Sequence, residues 1–518
     1  MDNQPRRTDR PGNDRRIPFP IAPLCLLTAF FVAYDACSYF APANVGLALT
    51  LLHAAVLIAI GLIDIRWGTC LLLASVVLAD DISRLDPYGG YEGLTNLMTL
   101  SVGGVAIGNP VALAMVGIGV FVAFVRWPQR DGPVRFTLAD LCMAGVVAAF
   151  TLGALHGWRA VTGNPRSALN DLNLPIMTTG LYVLVRLHTG NTRDLMRLWN
   201  AIILATAAKS IVWLSFAFLG VGLEFGTTLR VGYDSGSTLF VLLIAYGLLL
   251  QQRTYPMRRA ERWAALACAT AAGGLVLITA GRMNWIFTAY ALFTLVAFGR
   301  LRDKVRWLML GGVGIAVMVV LLLQVLPFMF QTLSALAGTL QFWDVNKLAE
   351  SHSNVVRIYE FKNIHAQLLN HDNLILGDGP GSTFTDKYYP WPDTSTEGDF
   401  SYDEILQRKY KNTHSLVSNL ILNIGYGGML AFVACMAGIF LVCLRAYRRA
   451  RSPALNALAL SLLAFLPVMV YMSWSAKTYV LTGTFLGIAG CLGRLGLEDK
   501  EGHGNSGKRP GIAHHDVP

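Results

Sequence analysis

Four side chains in this sequence have the chemistry to grip an anion and move a proton: Arg230, Arg282, Arg357 and His414. A guanidinium is always charged, and its planar fork meets two phosphate oxygens at once, most strongly where water is partly excluded. The plainer reading is an arginine whose stem lies on apolar surface while its head reaches lipid headgroups or a loop acid. A neutral imidazole can take a proton from a hydroxyl, work worth roughly 10²–10⁴ in rate. A histidine at the first turn of a helix is equally at home as a polar residue at an interface. Both readings stay open on residue chemistry alone.

Other ionisable or reactive groups offer less. Lys209 lies inside an apolar run, and Asp35 and Asp64 lie in or near others, so each is a functional candidate by its setting. Asp80-Asp81 could hold a divalent ion, but adjacent acids capping a loop explain them as well. His352, His365 and His371 lack metal-ligand spacing and read as surface or packing histidines, and His514-His515 belong to the tail. The eight cysteines fall in or beside apolar runs, which suits small apolar helix residues rather than a disulfide framework or zinc site. No metal site is expected.

These residues must be positioned by a membrane-embedded chain. Only 14% of the 518 residues are charged, and the mean hydropathy is +0.48, which excludes an ordinary soluble protein. Apolar runs near 20–40, 43–65, 68–82, 108–126, 136–156, 172–188, 197–222, 235–252, 262–280, 284–299, 307–326, 414–444, 454–474 and 478–494 predict an all-α polytopic fold with about 12–14 transmembrane helices. Gly108-Asn109-Pro110 interrupts the stretch 95–126, so a re-entrant or surface segment can precede that span. The division is a cytoplasmic arm at 1–19, about eleven spans in 20–326, a large loop at 327–413, about three spans in 414–494, and a disordered cytoplasmic tail at 495–518.

Lys and Arg set the orientation, because short loops rich in them stay cytoplasmic. With the N-terminus inside, the inner loops hold clusters such as Arg258, Arg259, Arg262 and Arg445, Arg448, Arg449, Arg451. The short outer loops hold only Arg84, Arg159, Arg166, Arg230, Arg282 and Lys477. Both termini are therefore expected in the cytoplasm and 327–413 outside. The same bias accounts for the net charge of +10 without nucleic acid, since the basic residues sit between spans rather than on an aromatic-laced soluble face.

Within the loop, Val355, Ile358, Phe361, Ile364 and Leu368 recur at helical spacing, with Arg357 and Lys362 off that face. Gly377-Asp378-Gly379-Pro380-Gly381 then forces a sharp turn; it lacks the Gly-Lys-Ser/Thr ending of a nucleotide loop. Tyr388-Tyr389-Pro390-Trp391-Pro392 offers rings that could stack on sugars or pack the loop against its own membrane domain.

Three segments together resemble the O-antigen ligase/polymerase superfamily, bacterial membrane glycosyltransferases that use polyprenyl-diphosphate-linked glycans. They are Thr279-Ala280-Gly281-Arg282 before an aromatic-rich span, Arg357 through Gly381, and His414 followed by apolar residues and Gly425-Tyr426-Gly427-Gly428. The resemblance covers about 227–445; this chain has Ser415 where the family usually places asparagine after the histidine, and Asn419 further on. It implies that Arg282 and Arg357, joined by Arg230, hold the lipid diphosphate while His414 activates an acceptor sugar hydroxyl. No metal or other cofactor is implied, because arginines supply the charge and the lipid-linked glycan is itself the donor. The implied setting is the bacterial inner membrane with the site periplasmic, and chain-length regulators and flippases as protein partners.

The leading expectation is a polymerase joining lipid-linked repeats in O-antigen, capsule or exopolysaccharide synthesis. A ligase of the same superfamily, passing finished glycan to lipid A-core or protein, differs only in its acceptor. A flippase for lipid-linked sugars would explain many spans and Lys209, but gives no reason for the loop at 327–413.

Overall fold

A computed structural model describes residues 19–40, 43–78, 101–102, 105–106, 108–126, 136–218, 223–225, 228–230, 238–252, 255–278, 282–298, 305, 309, 312–313, 316, 320, 352–391, 400–411, 413–472 and 476–504. The N-terminal arm, Asp80-Asp81, Arg84, nearly all of the run 307–326, the first part of the loop and His514-His515 lie outside these residues.

Sixteen helices follow in order among the described residues: α1 (Ile21–Phe40), α2 (Ala43–Ile63), α3 (Ile65–Leu78), α4 (Gly108–Val125), α5 (Leu138–His156), α6 (Trp158–Gly163), α7 (Pro165–His188), α8 (Thr192–Phe218), α9 (Leu239–Leu249), α10 (Arg259–Ile278), α11 (Arg282–Phe298), α12 (His352–Asn370), α13 (Tyr402–Gln407), α14 (Leu416–Arg449), α15 (Pro453–Met472) and α16 (Ala476–Gly504). Among the described residues, five segments are long and apolar enough to cross a membrane: Leu138–His156, Thr192–Ser215, Leu416–Arg449, Pro453–Met472 and Tyr479–Gly496. Shorter apolar helices accompany them, and leucines such as Leu26, Leu141 and Leu430 stand 71%, 70% and 69% exposed on the bundle surface. This is an all-α membrane protein, relieved among the described residues by two short antiparallel hairpins, β1 (Ser101–Val102) with β2 (Val105–Ala106) and β3 (Leu223–Phe225) with β4 (Thr228–Arg230).

The stretch 95–126 divides at Gly108-Asn109-Pro110 as expected, and that tripeptide opens α4, where a proline in the first turn lacks only an N–H the helix would leave orphaned. The β1–β2 hairpin precedes it. The tail expected to be disordered from 495 is helical through Gly504. Residues 157–163, unassigned from sequence, form the short α6 between α5 and α7.

The helices alternate direction, so the bundle has two ends. At one, Asp140 in the first turn of α5 accepts from Arg186 of α7 (Nε 2.9 Å, a terminal nitrogen 2.7 Å) and from the Tyr182 hydroxyl (2.6 Å), and it bonds the Thr137 main-chain N–H at 2.6 Å. Arg66, Asp194 and Arg197 pair nearby, with Arg66 at 3.1 Å and Arg197 at 3.4 Å from the carboxylate. The last turn of α14, with Arg448 and Arg449, comes to this end too, since Gly438 packs on Cys142 of α5. At the other end stand His156, the start of α7, the start of α14 and α12. Arginines thus gather opposite α12.

Removing Asp140 strips a buried guanidinium of its bidentate partner, which typically costs about 3–5 kcal/mol. Asp140→Ala should therefore melt well below the parent in detergent, with Asp140→Asn between the two.

Lys209, a functional candidate by its setting, has a structural one. Fully buried in α8, its ammonium donates to the Val77 carbonyl at 3.2 Å and lies 4.5 Å from the Trp213 ring centroid. It ties α8 to the last turn of α3, where a cation also meets the negative helix end. Asp64 is an exposed residue in the turn between α2 and α3, accepting from the Arg66 N–H at 3.0 Å. The side chain of Asp35 lies outside the described residues.

Candidate functional site

The described part of the loop 327–413 folds around its own small core of Val356, Ile364, Leu368, Phe384, Trp391, Phe400 and Tyr410, seated on Ile421 and Leu422 of α14. α12 does not bury the stripe expected from sequence. Ile364 and Leu368 face this core, but Ile358 is 44% and Phe361 39% exposed. The buried face instead carries Glu360, Asn363 and Gln367, each with work to do. Asn363 brackets Tyr389, donating to its carbonyl at 2.7 Å and accepting from its N–H at 2.9 Å. Gln367 donates to the Asp378 carboxylate at 2.8 Å and the Thr383 carbonyl at 2.9 Å, and accepts from the Thr385 N–H at 3.2 Å. Buried polar groups need partners, and here they clamp the irregular chain to the helix.

The aromatic run divides between its two readings. Trp391 packs inside, its ring centroid 5.2 Å from Phe400 and 5.6 Å from Tyr410, whereas Tyr388 and Tyr389 stay 38% and 44% exposed. Burial, and then the nearby Asp386 carboxylate, push the Tyr410 phenol upward, so it serves this core as a neutral ring.

The glycine turn is a docking element rather than an open cradle. Gly377, Gly379 and Gly381 all have positive φ (73°, 93° and 85°). Asp378 is held by Gln367, by the Asn373 amide at 2.8 Å and by His371 at 3.1 Å. α14 breaks at Gly425 (φ 66°, ψ −175°), which pulls apart the helical bond between the Leu422 carbonyl and the Tyr426 N–H. The loop takes both halves: Asp378 N–H donates to Leu422 O at 2.8 Å, and Tyr426 N–H donates to Leu374 O at 2.8 Å. Gly427 N–H donates to Ile375 O at 3.0 Å. On the other side Gly379 abuts Gly157 backbone to backbone, and the Gly381 N–H donates to Asp171 of α7 at 2.8 Å. A methyl at Gly377 would sit 2.6 Å from Gly425 N and 2.7 Å from Leu422 O, besides the roughly 1–2 kcal/mol cost of its backbone conformation. Gly377→Ala should therefore lower the melting temperature and expose the 374–378 seam to proteolysis, while a swap at the exposed Tyr402 leaves both unchanged.

His414 stands just before α14, where Ser415 caps the helix by accepting from the Ser418 N–H at 3.2 Å. Its partner is Glu360, whose side chain is wholly buried. One carboxylate oxygen of Glu360 accepts from the His414 main-chain N–H at 2.6 Å and lies 3.2 Å from Nδ1 of the ring. The Phe400 ring meets the imidazole edge-on at 4.8 Å. A carboxylate only accepts, so this contact assigns the ring proton to Nδ1, the tautomer in which Nε2 carries the lone pair. The His414 side chain keeps 28% of its surface exposed. A carboxylate placed in this way fixes the tautomer and orientation of the imidazole beside it.

Sequence reasoning missed Glu360, which lies 54 residues before its partner. Its one signal was an acid on a helical face shared with Val356, Ile364 and Leu368. Of the expected arginines, Arg357 is exposed on α12, three residues before Glu360. Arg282 opens α11, whose last residue Phe298 meets Tyr447 at the arginine-rich end, so its backbone lies at the His414 end. Arg230 ends β4 in the hairpin that follows α8, at that same end. The side chains of Arg230 and Arg282 lie outside the described residues. His365 bonds the Tyr426 hydroxyl at 2.9 Å. Among the described residues no three His, Cys, Asp or Glu side chains converge as a metal site would require.

No protein-family model and no curated protein matches this chain.

Proposed function

We propose that this chain is a glycosyltransferase of the bacterial inner membrane that joins polyprenyl-diphosphate-linked glycan repeats into a longer polysaccharide. The observation that carries this reading is the Glu360–His414 pair, a wholly buried carboxylate bonded to the main chain and to Nδ1 of a partly exposed histidine. His414 takes the proton from an acceptor sugar hydroxyl. The oxygen attacks the donor's anomeric carbon, and the bond from that carbon to the diphosphate breaks. Charge then grows on the leaving lipid diphosphate. Arg357, with Arg282 and Arg230 from other elements at the same end of the bundle, meets it in place of a metal ion. The diphosphate bond supplies the driving force, so no nucleotide is needed.

The gathering of arginines opposite α12 supports a cytoplasmic assignment for that end and a periplasmic one for His414. Loss of the gene separates the readings: a polymerase leaves single-repeat glycans, a ligase leaves full-length unattached glycan, and a flippase leaves repeats stranded on the cytoplasmic face. Only the first outcome agrees with the proposal.

A further inference from the structure

Once Glu360, Asn363 and Gln367 have been turned inward, α12 carries an apolar stripe on its other side. Ile358, Phe361 and Leu369, at 44%, 39% and 54% exposure, fall on one helical face with His365 between them. A water-facing helix would place its polar residues there. The stripe also continues into the membrane domain. His365 bonds Tyr426 and meets its ring edge-on at 5.8 Å, and Ile375, 70% exposed, lies directly over Gly427 of α14. From Gly427 the exposed face of α14 runs through Leu430, Val433 and Leu441, on a helix apolar and long enough to cross the bilayer.

We infer that α12 lies in the plane of the membrane interface, its Ile358–Phe361–Leu369 face sunk into the boundary between headgroups and acyl chains. Continuity with the outer face of α14 commits the stripe to lipid rather than to a partner protein. Its borders agree: exposed Arg357 and Lys362 flank it, with the Lys362 ammonium 5.5 Å and 5.7 Å from the rings of Tyr359 and Tyr389. Cations and tyrosines are the residues that settle at headgroup level. One helix would thus rest on lipid with one face and hold His414 through Glu360 with the other. On the reading of His414 given above, that fixes the base at the depth where a lipid-borne diphosphate lies.

Nitroxide labels on full-length protein in nanodiscs test this without any reaction. Phe361→Cys, Leu369→Cys and, as a control, Tyr402→Cys (78% exposed on α13) are labelled in a Cys25→Ser background, and signal from the unsubstituted parent is subtracted. Collision with oxygen should exceed collision with a water-soluble nickel chelate several-fold at 361 and 369, and the order should reverse at 402. If Phe361→Cys fails to fold, Leu369→Cys carries the same test. Preferential collision with nickel at 361 and 369 would place the stripe in water. Protection from both probes would place it under another part of this chain or a second copy. Either result overturns the inference and leaves the role of His414 untouched, just as an inactive imidazole would leave the lipid contact untouched.

Discussion

His414→Ala should cut glycan elongation by roughly 10²–10⁴, the usual contribution of a positioned general base, without loss of folded protein. The structure gives the reason for the second half. The bond from residue 414 to Glu360 at 2.6 Å is made by the main-chain N–H, which alanine keeps. The variant loses the ring and its edge-on contact with Phe400 but not the tie between α12 and the start of α14. Melting temperature and yield in detergent should stay close to the parent while product length collapses to the starting repeat. An alanine variant that elongates at the parental rate would remove His414 from the chemistry.

Glu360→Ala should be harmful twice over. The partly buried main-chain N–H of His414 loses its acceptor, which costs about 1 kcal/mol, and the imidazole loses the group that fixes its proton on Nδ1. Activity should fall toward that of His414→Ala, together with stability. Glu360→Gln separates the effects. Its amide oxygen can still accept from the main-chain N–H, so stability should return. It carries no charge to stabilise the imidazolium that forms as the hydroxyl loses its proton, so the rate should stay low. A glutamine variant with parental rate would reduce Glu360 to a backbone acceptor.

The spans were readable because crossing a membrane demands length and apolarity, and both are local properties of a sequence. Leu138–His156 and Pro453–Met472 fall within a few residues of the expected runs. The glycine turn was readable as a turn, because positive φ favours glycine, and all three glycines adopt it. Its partner was not readable. Gly425 stands in an apolar run that reads as one continuous helix, and only the fold reveals that its break exists to exchange backbone bonds with residues 374–378. The face of α12 was misassigned for a related reason. Apolar residues occur on both sides of that helix, and spacing alone favours the stripe that includes Ile358 and Phe361. The buried side is fixed by long-range demands on Glu360, Asn363 and Gln367, from His414, Tyr389 and Thr383. Glu360 could not be singled out among the loop's acids for the same reason, since nothing within a few residues of it specifies its partner.

The most direct measurement is elongation by the purified protein in liposomes, supplied with a polyprenyl-diphosphate-linked oligosaccharide repeat and a metal chelator, and resolved by product size. The account predicts a ladder of multiples of the repeat with release of free polyprenyl diphosphate, and no ladder from His414→Ala. Translocation of the intact lipid-linked repeat without any new glycosidic bond, or a ladder that His414→Ala leaves unchanged, would contradict it.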